Sequence, residues 1–170
     1  RRAALFKRGM RVLDLGAAPG SWALYAAQRI LPGGSVYAID IQPMQFALPH
    51  HVHVEQADIF AMDLEALKAK GPFDVVMSDM APHTSGQKHL DQYRSFELFM
   101  RAFSIATEVL TSDGAFLGKL FTGGEFPEAK RALTLHFKQV RVFRPEATRK
   151  ESYELFLYGI GRKDITTQPD

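Results

Sequence analysis

One lysine interrupts an otherwise apolar segment of this 170-residue chain. Lys119 lies in Ala115-Phe-Leu-Gly-Lys-Leu-Phe121, which otherwise has the composition of a buried β-strand. Burying an ammonium group costs free energy unless an opposite charge pairs with it or its pKa falls. Ionisable groups in such positions concentrate at functional sites, although a lysine can also extend to solvent from the end of a sheet. Lys119 is therefore the first candidate for holding or moving a proton.

Three aspartates stand where apolar runs of strand type end. Asp79 closes one run and is followed by a turn that Pro82 restrains, so its position has little freedom. Asp40 ends a second run, and Asp58 lies just past a third. Carboxylates in these positions can orient a substrate or a donor group. Each aspartate can instead be exposed to solvent or cap a turn, and for Asp58 considered alone that interpretation is favoured.

A glycine-containing turn joins the apolar run 12–15 to a helical pattern that begins at Ser21. Gly16 and Gly20 allow the backbone to pass close to a ligand, and the first N–H groups of the following helix face the same place. The Gly-x-x-x-Gly spacing differs from both the dinucleotide fingerprint and the phosphate loop. Asp40 follows Gly20 by twenty residues, where a carboxylate can accept both hydroxyls of a ribose. The turn and this aspartate together indicate a nucleoside-containing ligand.

Strand and helix patterns alternate along most of the chain, which predicts an α/β fold with a largely parallel sheet covered on both faces. The apolar runs predict strands over 11–15, 35–39, 52–56, 73–78, 115–121, 139–144 and 154–161. The helical patterns predict helices over 21–31, 64–70, 91–110 and 125–137. Ligands of such sheets bind at the carboxyl ends of the strands, where the lysine and the three aspartates fall.

Local signals add four expectations. Ser21 is the expected N-cap of the first helix, and Leu31 is expected in its buried stripe. Residues 83–90 are polar and contain a glycine, so we expect a mobile loop there. The polar end of the chain, from about residue 162, is expected to be flexible.

The composition, 46% apolar and 24% charged, is that of an ordinary globular protein, and we expect residues 1–170 to form one domain. No apolar run approaches the roughly 20 residues of a membrane helix, so no membrane partner is expected. The absence of cysteine excludes disulfides, thiolate metal sites and cysteine nucleophiles. His50, His51 and His53 lack an acidic partner at ligand spacing, so we expect no metal site.

The net charge of +2 is too small to argue nucleic-acid binding by itself. Basic residues nevertheless cluster over 1–11 and again over 138–150. The two clusters can form one phosphate-binding face in the fold or two separate solvated faces.

Five segments, in this order, resemble the FtsJ-like RNA ribose 2′-O-methyltransferases. They are Asp14-Leu-Gly-Ala-Ala-Pro-Gly-Ser-Trp22, Ala38-Ile-Asp-Ile-Gln-Pro-Met44, Met77-Ser-Asp-Met-Ala-Pro-His83, Gly118-Lys-Leu-Phe121 and Arg149-Lys-Glu-Ser-Tyr-Glu-Leu-Phe156. The resemblance implies a Rossmann-like class I methyltransferase fold with a mostly parallel seven-stranded sheet and an antiparallel last strand. It also implies S-adenosylmethionine (SAM) as the cofactor and RNA as the substrate.

The resemblance also assigns residues. Those implied to bind the cofactor are Gly16, Ala17, Pro19, Gly20, Trp22, Asp40, Ile41, Asp58, Ile59 and Asp79. Among them Asp58 would contact adenine with Ile59 beside the ring, whereas Trp22 has an alternative role in the core. Those implied to be catalytic are Lys119, Asp79 and Glu154, the last chosen over Glu151 because the family pattern is a serine, one residue and a glutamate.

The family uses a Lys-Asp-Lys-Glu set to methylate a ribose hydroxyl, which is a poor nucleophile because its pKa is far above neutral. A neutral lysine would accept the hydroxyl proton, whereas a charged one would stabilise the developing alkoxide. The family's first lysine lies upstream of the segment that Phe6–Met10 resembles, so we expect this sequence to lack it. Lys7 matches a different family position and does not take its role.

The resemblance is strongest to the bacterial branch that methylates a uridine ribose in large-subunit ribosomal RNA, which implies a cytoplasmic, monomeric enzyme. The related transfer-RNA branch shares the same motifs. A SAM-binding ribosome-assembly factor with weak catalysis is an alternative of another class, and an NAD-binding protein is a more distant one. SAM binding separates the last from the others, and methyl transfer separates the enzymes from the assembly factor.

Overall fold

The computed structural model describes residues 5–145 and 154–164. These ranges contain seven strands and four helices. In chain order they are β1 (Arg11–Leu15), α1 (Ser21–Arg29), β2 (Ser35–Asp40), β3 (Val52–Gln56), α2 (Leu64–Lys70), β4 (Phe73–Ser78), α3 (Lys88–Val109), β5 (Leu110–Phe121), α4 (Phe126–His136), β6 (Phe137–Phe143) and β7 (Glu154–Arg162). The predicted flexible end from about residue 162 falls mostly outside the described residues.

All seven strands form one sheet in the order β3-β2-β1-β4-β5-β7-β6. The pairs among β1 to β5 are parallel, whereas β7 is antiparallel to both β5 and β6, between which it lies. The predicted mostly parallel seven-stranded sheet and its antiparallel last strand are therefore confirmed. This order puts the carboxyl ends of β4 and β5 next to the start of β7.

Two apolar clusters cover the two faces of the sheet. The larger packs α2, α3 and α4 against side chains such as Leu13 of β1 and Phe116 of β5. The smaller packs α1 against the other face, including Val12 of β1. Successive residues of a strand point to opposite faces, so β1 is buried on both sides, as its apolar run predicts. Helices on both faces leave the two ends of the strands accessible, and the predicted site residues fall mainly at the carboxyl ends.

The start and end of α1 differ from the expectation. Gly20, not Ser21, is the N-cap, with φ 116° and no side-chain capping bond. Ser21 is the first helical residue and is exposed. The helix ends at Arg29 with Ile30 as its C-cap, so Leu31 lies beyond it and is exposed instead of buried. The positive φ of Gly20 turns the chain directly into the helix, which leaves no capping role for Ser21.

The long helix α3 begins at Lys88, three residues before the predicted start. The nearly buried carboxylate of Asp91 accepts hydrogen bonds from the backbone N–H and the hydroxyl of Ser85, at 2.9 and 2.8 Å. These bonds fold the preceding loop back over the first turn. The last residues of the predicted loop, 88–90, are therefore helical.

β5 is also longer than predicted, because it starts at Leu110 and continues through the expected turn at 112–114. Its pairing with β4 shifts register between Phe73 and Val75, and Asp113 adopts a φ of 65° there. The pairing of β5 with β4 therefore continues past the expected turn, with an irregularity at the turn residues. Within the two described ranges, every helix is too short or too polar to cross a membrane.

Asp14 is a carboxyl group buried within the sheet on β1. Neither of its oxygens has a hydrogen-bond partner among the described residues. Burial raises the pKa of Asp14 well above its ordinary value, and the charges of Asp79 and Asp40 raise it further. The folded chain therefore keeps the Asp14 proton to a higher pH than the unfolded chain does.

We expect Asp14→Asn to change how stability depends on pH. Because the folded pKa is raised, the contribution of Asp14 is fully present below the unfolded pKa of about 3.9 and is lost as pH rises through the folded pKa. The variant does not titrate at this position, so its free energy of unfolding should increase relative to that of the wild type as pH rises. The slope should approach about 1.4 kcal/mol per pH unit inside that window.

Urea denaturation of both proteins at closely spaced pH values from about 4 upward measures this difference. Asp113→Asn, at an exposed position of β5, controls for the same chemical change outside the core. A difference between Asp14→Asn and wild type that stays constant over the whole range would contradict the prediction.

Candidate active site

Lys119 is held by two carboxylates from the strands on either side of it. Its Nζ lies 3.0 Å from Oδ1 of Asp79 and 3.7 Å from Oε1 of Glu154, and its side chain is only 10% exposed. Asp79 directly follows β4, Glu154 begins β7, and β5 lies between these two strands. Ion pairing, rather than escape to solvent, therefore accommodates the lysine in an apolar strand.

The pKa of Asp79 is raised from its ordinary value. Partial burial is the main cause, the charge of Glu154 adds to it, and the charge and hydrogen bond of Lys119 oppose it. Lys119 is thus the group that favours the carboxylate form of Asp79.

The turn after β1 lies directly against the segment that carries Asp79. Gly16 has a φ of 72°, and a Cβ at this position would overlap the side chain of Met80. The N–H groups of Gly16 and Ala17 both donate to the carbonyl oxygen of Ile39, at 2.8 and 3.0 Å. The positive φ therefore favours glycine at residue 16, and a larger residue would also have to displace the Met80 side chain.

Asp40 connects the same turn to the end of β2. Its Oδ2 accepts a hydrogen bond from the N–H of Ala18 at 2.9 Å, and its Oδ1 accepts one from the N–H of Gln42 at 2.8 Å. A carboxylate oxygen can accept more than one bond, so both oxygens keep capacity for ribose hydroxyls. The sequence indicated the ligand-binding role and did not reveal this structural one.

A cavity of about 420 Å³ opens between this turn, the end of β2 and the segments after β3 and β4. The predicted cofactor residues that line it are Gly16, Pro19, Asp40, Ile41, Asp58, Ile59 and Asp79. Asp79 also pairs with Lys119, so it joins the cavity to the lysine cluster. The volume falls within the usual range for small-molecule sites, about 300–1,000 Å³.

Three predicted cofactor residues lie outside the cavity lining. Ala17 is buried in the smaller core cluster, and Gly20 caps α1. Trp22 is partly buried, packs on that same cluster and stacks on Phe156, with ring centroids 5.4 Å apart. This placement agrees with the alternative core role for Trp22 and puts it beside the strand that carries Glu154.

Asp58 and Ile59 occupy different environments. Asp58 is exposed, and its Oδ1 accepts a bond from the N–H of Phe60 at 2.9 Å. Ile59 is buried in the larger cluster while still lining the cavity. Asp58 thus has the turn-capping role that its sequence context favours, and its position also faces the cavity.

The cavity includes residues that sequence analysis did not select as site residues. They are Ala18, Gln42, Pro43, Gln45, Ala57, Phe60, Met80, Ala81, His83 and Leu98. Several of these belong to the segments that carry the family resemblance, which was the available signal for them. Leu98 comes from the middle of α3, and a helical pattern alone does not indicate which of its side chains reaches a ligand.

The residues present fit a nucleoside-containing cofactor. Gly16 leaves space where a Cβ would fill the turn, and Asp40 presents a carboxylate beside it. Ile41 and Phe60 are exposed apolar side chains on the same lining, suited to covering a flat ring. Across 5–145 and 154–164, no three histidine, aspartate or glutamate side chains are grouped so that they could hold a metal ion.

Proteins with related sequences carry names that describe methyltransferases. A protein of Sorangium cellulosum named ribosomal RNA large subunit methyltransferase E is 51% identical over 163 residues, which cover 96% of this chain and 77% of the relative. A protein of the same name from Oleidesulfovibrio alaskensis is 44% identical over 168 residues, which cover 97% of this chain and 81% of that relative.

The structural comparison agrees on the fold. A crystal structure from Plasmodium falciparum, described as a ribosomal RNA methyltransferase, matches with a TM-score of 0.80 at 23% identity and covers 92% of this chain and 88% of that one. The model of the family described as FtsJ-like methyltransferase matches residues 1–162. As its five sequence segments predict, the chain belongs to the FtsJ-like methyltransferase family.

Proposed function

We propose that this protein methylates the 2′-hydroxyl of a ribose in RNA, with SAM as the methyl donor and a uridine of large-subunit ribosomal RNA as the target. The observation that carries the proposal is the lysine cluster, Lys119 with Asp79 and Glu154, at the edge of the nucleoside-sized cavity. The names of the related proteins support the choice of ribosomal RNA.

The cavity residues hold the cofactor in this proposal. The Gly16 turn would lie along the cofactor backbone, Asp40 would accept the ribose hydroxyls, and Asp58 with Ile59 would border the adenine. SAM supplies a methyl group that is already activated by its sulfonium. The protein's remaining tasks are to align the acceptor hydroxyl and to manage its proton.

Lys119 manages the proton of the acceptor hydroxyl. Its two carboxylate partners fix the position of Nζ, so the amino group approaches the substrate hydroxyl from one direction. As a neutral amine it accepts the hydroxyl proton, and as an ammonium it stabilises the negative charge that develops on the oxygen. Asp79 and Glu154 act on the reaction through Lys119, because both contact its Nζ.

Replacing Lys119 by alanine should abolish most methyl transfer. The experiment supplies labelled SAM to undermethylated large ribosomal subunits, free ribosomal RNA and transfer RNA, and identifies the methylated nucleoside. The wild-type protein should produce 2′-O-methyluridine in ribosomal RNA. Loss of a positioned proton-transfer group should reduce the rate of Lys119→Ala about 10²- to 10⁴-fold.

Lys70→Ala is the matched control, because Lys70 ends α2 next to Tyr37 and does not line the cavity. It should retain the wild-type rate. Product on transfer RNA alone would replace the ribosomal substrate with the transfer-RNA alternative. A wild-type chain that binds SAM and methylates none of the three RNAs would overturn the enzyme proposal in favour of an assembly factor.

Asp40→Asn should weaken SAM binding without unfolding the protein. Hydrogen bonds to a charged acceptor contribute about 1.5–3 kcal/mol, so the dissociation constant measured by titration calorimetry should rise about 10- to 150-fold. Asp74→Asn is the matched control, because that carboxylate also accepts a backbone N–H bond, from Arg11 at 2.8 Å, and does not line the cavity. Equal weakening in both variants would show a general effect on stability and remove Asp40 from the binding site.

A further inference from the structure

The first two turns of α3 carry buried polar side chains where the helix packs against the sheet. Among the described residues, three of the buried polar side chains lie in these turns, namely Asp91, Gln92 and Ser95. Further along the helix, the same face places Phe99 and Ala102 in the larger core cluster. Burying an amide or a hydroxyl costs free energy unless the group forms a hydrogen bond. Gln92 and Ser95 therefore need partners at the contact between helix and sheet.

Both side chains bond to the backbone at the end of β5. Oγ of Ser95 accepts a hydrogen bond from the N–H of Phe121 at 2.9 Å. Nε2 of Gln92 donates one to the carbonyl oxygen of Thr122 at 2.6 Å. The Gln92 amide also lies against Gly123, where a Cβ would be 2.7 Å from Cδ of the glutamine. The end of β5 is thus held by two buried side chains of α3.

These bonds act where β5 has lost the support of β4. The pairing of the two strands ends at Gly118, and Lys119 is the next residue. Phe121 lies two residues after Lys119, roughly 7 Å further along the strand, and it pairs with Glu154 at the start of β7. The backbone that Ser95 and Gln92 hold is therefore directly connected to the lysine and paired with one of its carboxylate partners.

We propose that Gln92 and Ser95 are positioning residues for methyl transfer, which hold the last residues of β5 and so keep Nζ of Lys119 at its distances from Asp79 and Glu154. Neither side chain lines the cavity, so both act through Lys119. The proposal rests on the proposed function, since it concerns the rate of that reaction.

Two substitutions remove the bonds with little change in side-chain size. Ser95→Ala removes the acceptor, and Gln92→Met removes the donor while keeping an unbranched chain. We expect each to lower kcat about 5- to 50-fold, because misplacing a reacting group by about 1 Å can cost about 10²-fold. The KM for RNA and the affinity for SAM should not change. Calorimetric titration with SAM counts the folded molecules, so kcat is expressed per SAM-binding molecule.

Ser104→Ala is the matched control, because it makes the same chemical change at an exposed position of the same helix. Ile105→Val is a control for stability, since Ile105 is fully buried in the larger core cluster and has no polar atom in its side chain. Both controls should retain the wild-type kcat.

A double-mutant cycle separates positioning from a general loss of stability. The residual rate of Lys119→Ala is measured in single-turnover assays with labelled SAM. Adding Ser95→Ala to this variant should change the rate less than about 2-fold, because the effects of residues that act through one another are not additive. An equal loss with and without the lysine would overturn the positioning role.

The other outcomes separate this proposal from the proposed function. A wild type that transfers methyl groups, with the same kcat in Ser95→Ala and Gln92→Met, overturns the positioning role and leaves the function intact. A loss of kcat that Ile105→Val reproduces also overturns it. A wild type that binds SAM and methylates no RNA overturns both proposals, because a positioning residue then has no reaction to serve.

Discussion

The candidate active site depends on the ion pairs of Lys119. Its ammonium group is almost completely buried, and an uncompensated charge in that position would cost several kcal/mol. β5 can carry the lysine because Asp79 and Glu154 come from the two strands that flank it. The position of Nζ therefore follows from the strand order, and the insertion of β7 beside β5 is a condition for the site.

The alternation of side chains in β5 and β7 lets the same strands form both core and site. Leu155 and Leu157 fill the larger core cluster, while Phe156 points to the face of Lys119. Gly118 of β5 leaves space for the core, because a Cβ there would lie 2.6 Å from the ring of Phe99. Because this Cβ is absent, α3 packs closely against the sheet at the residue before Lys119.

The parts of the fold that local chemistry determines could be predicted from the sequence. β1, β3, α2 and β4 have their predicted bounds, because a glycine or aspartate follows each pattern within two residues. The start of α3 could not be predicted, since it depends on the bond between Asp91 and Ser85. The strand-end residues of the cavity were predictable for the same local reason, whereas the contribution of Leu98 depends on how α3 packs.

The contact between Gly16 and Met80 joins the proposed cofactor site to the segment that holds Lys119. Met80 occupies the space that a Cβ at Gly16 would fill, so the turn after β1 packs directly against the segment after β4. Asp79 precedes Met80, lines the cavity and holds Lys119. The cavity and Lys119 are in this way joined by packing between two strand ends.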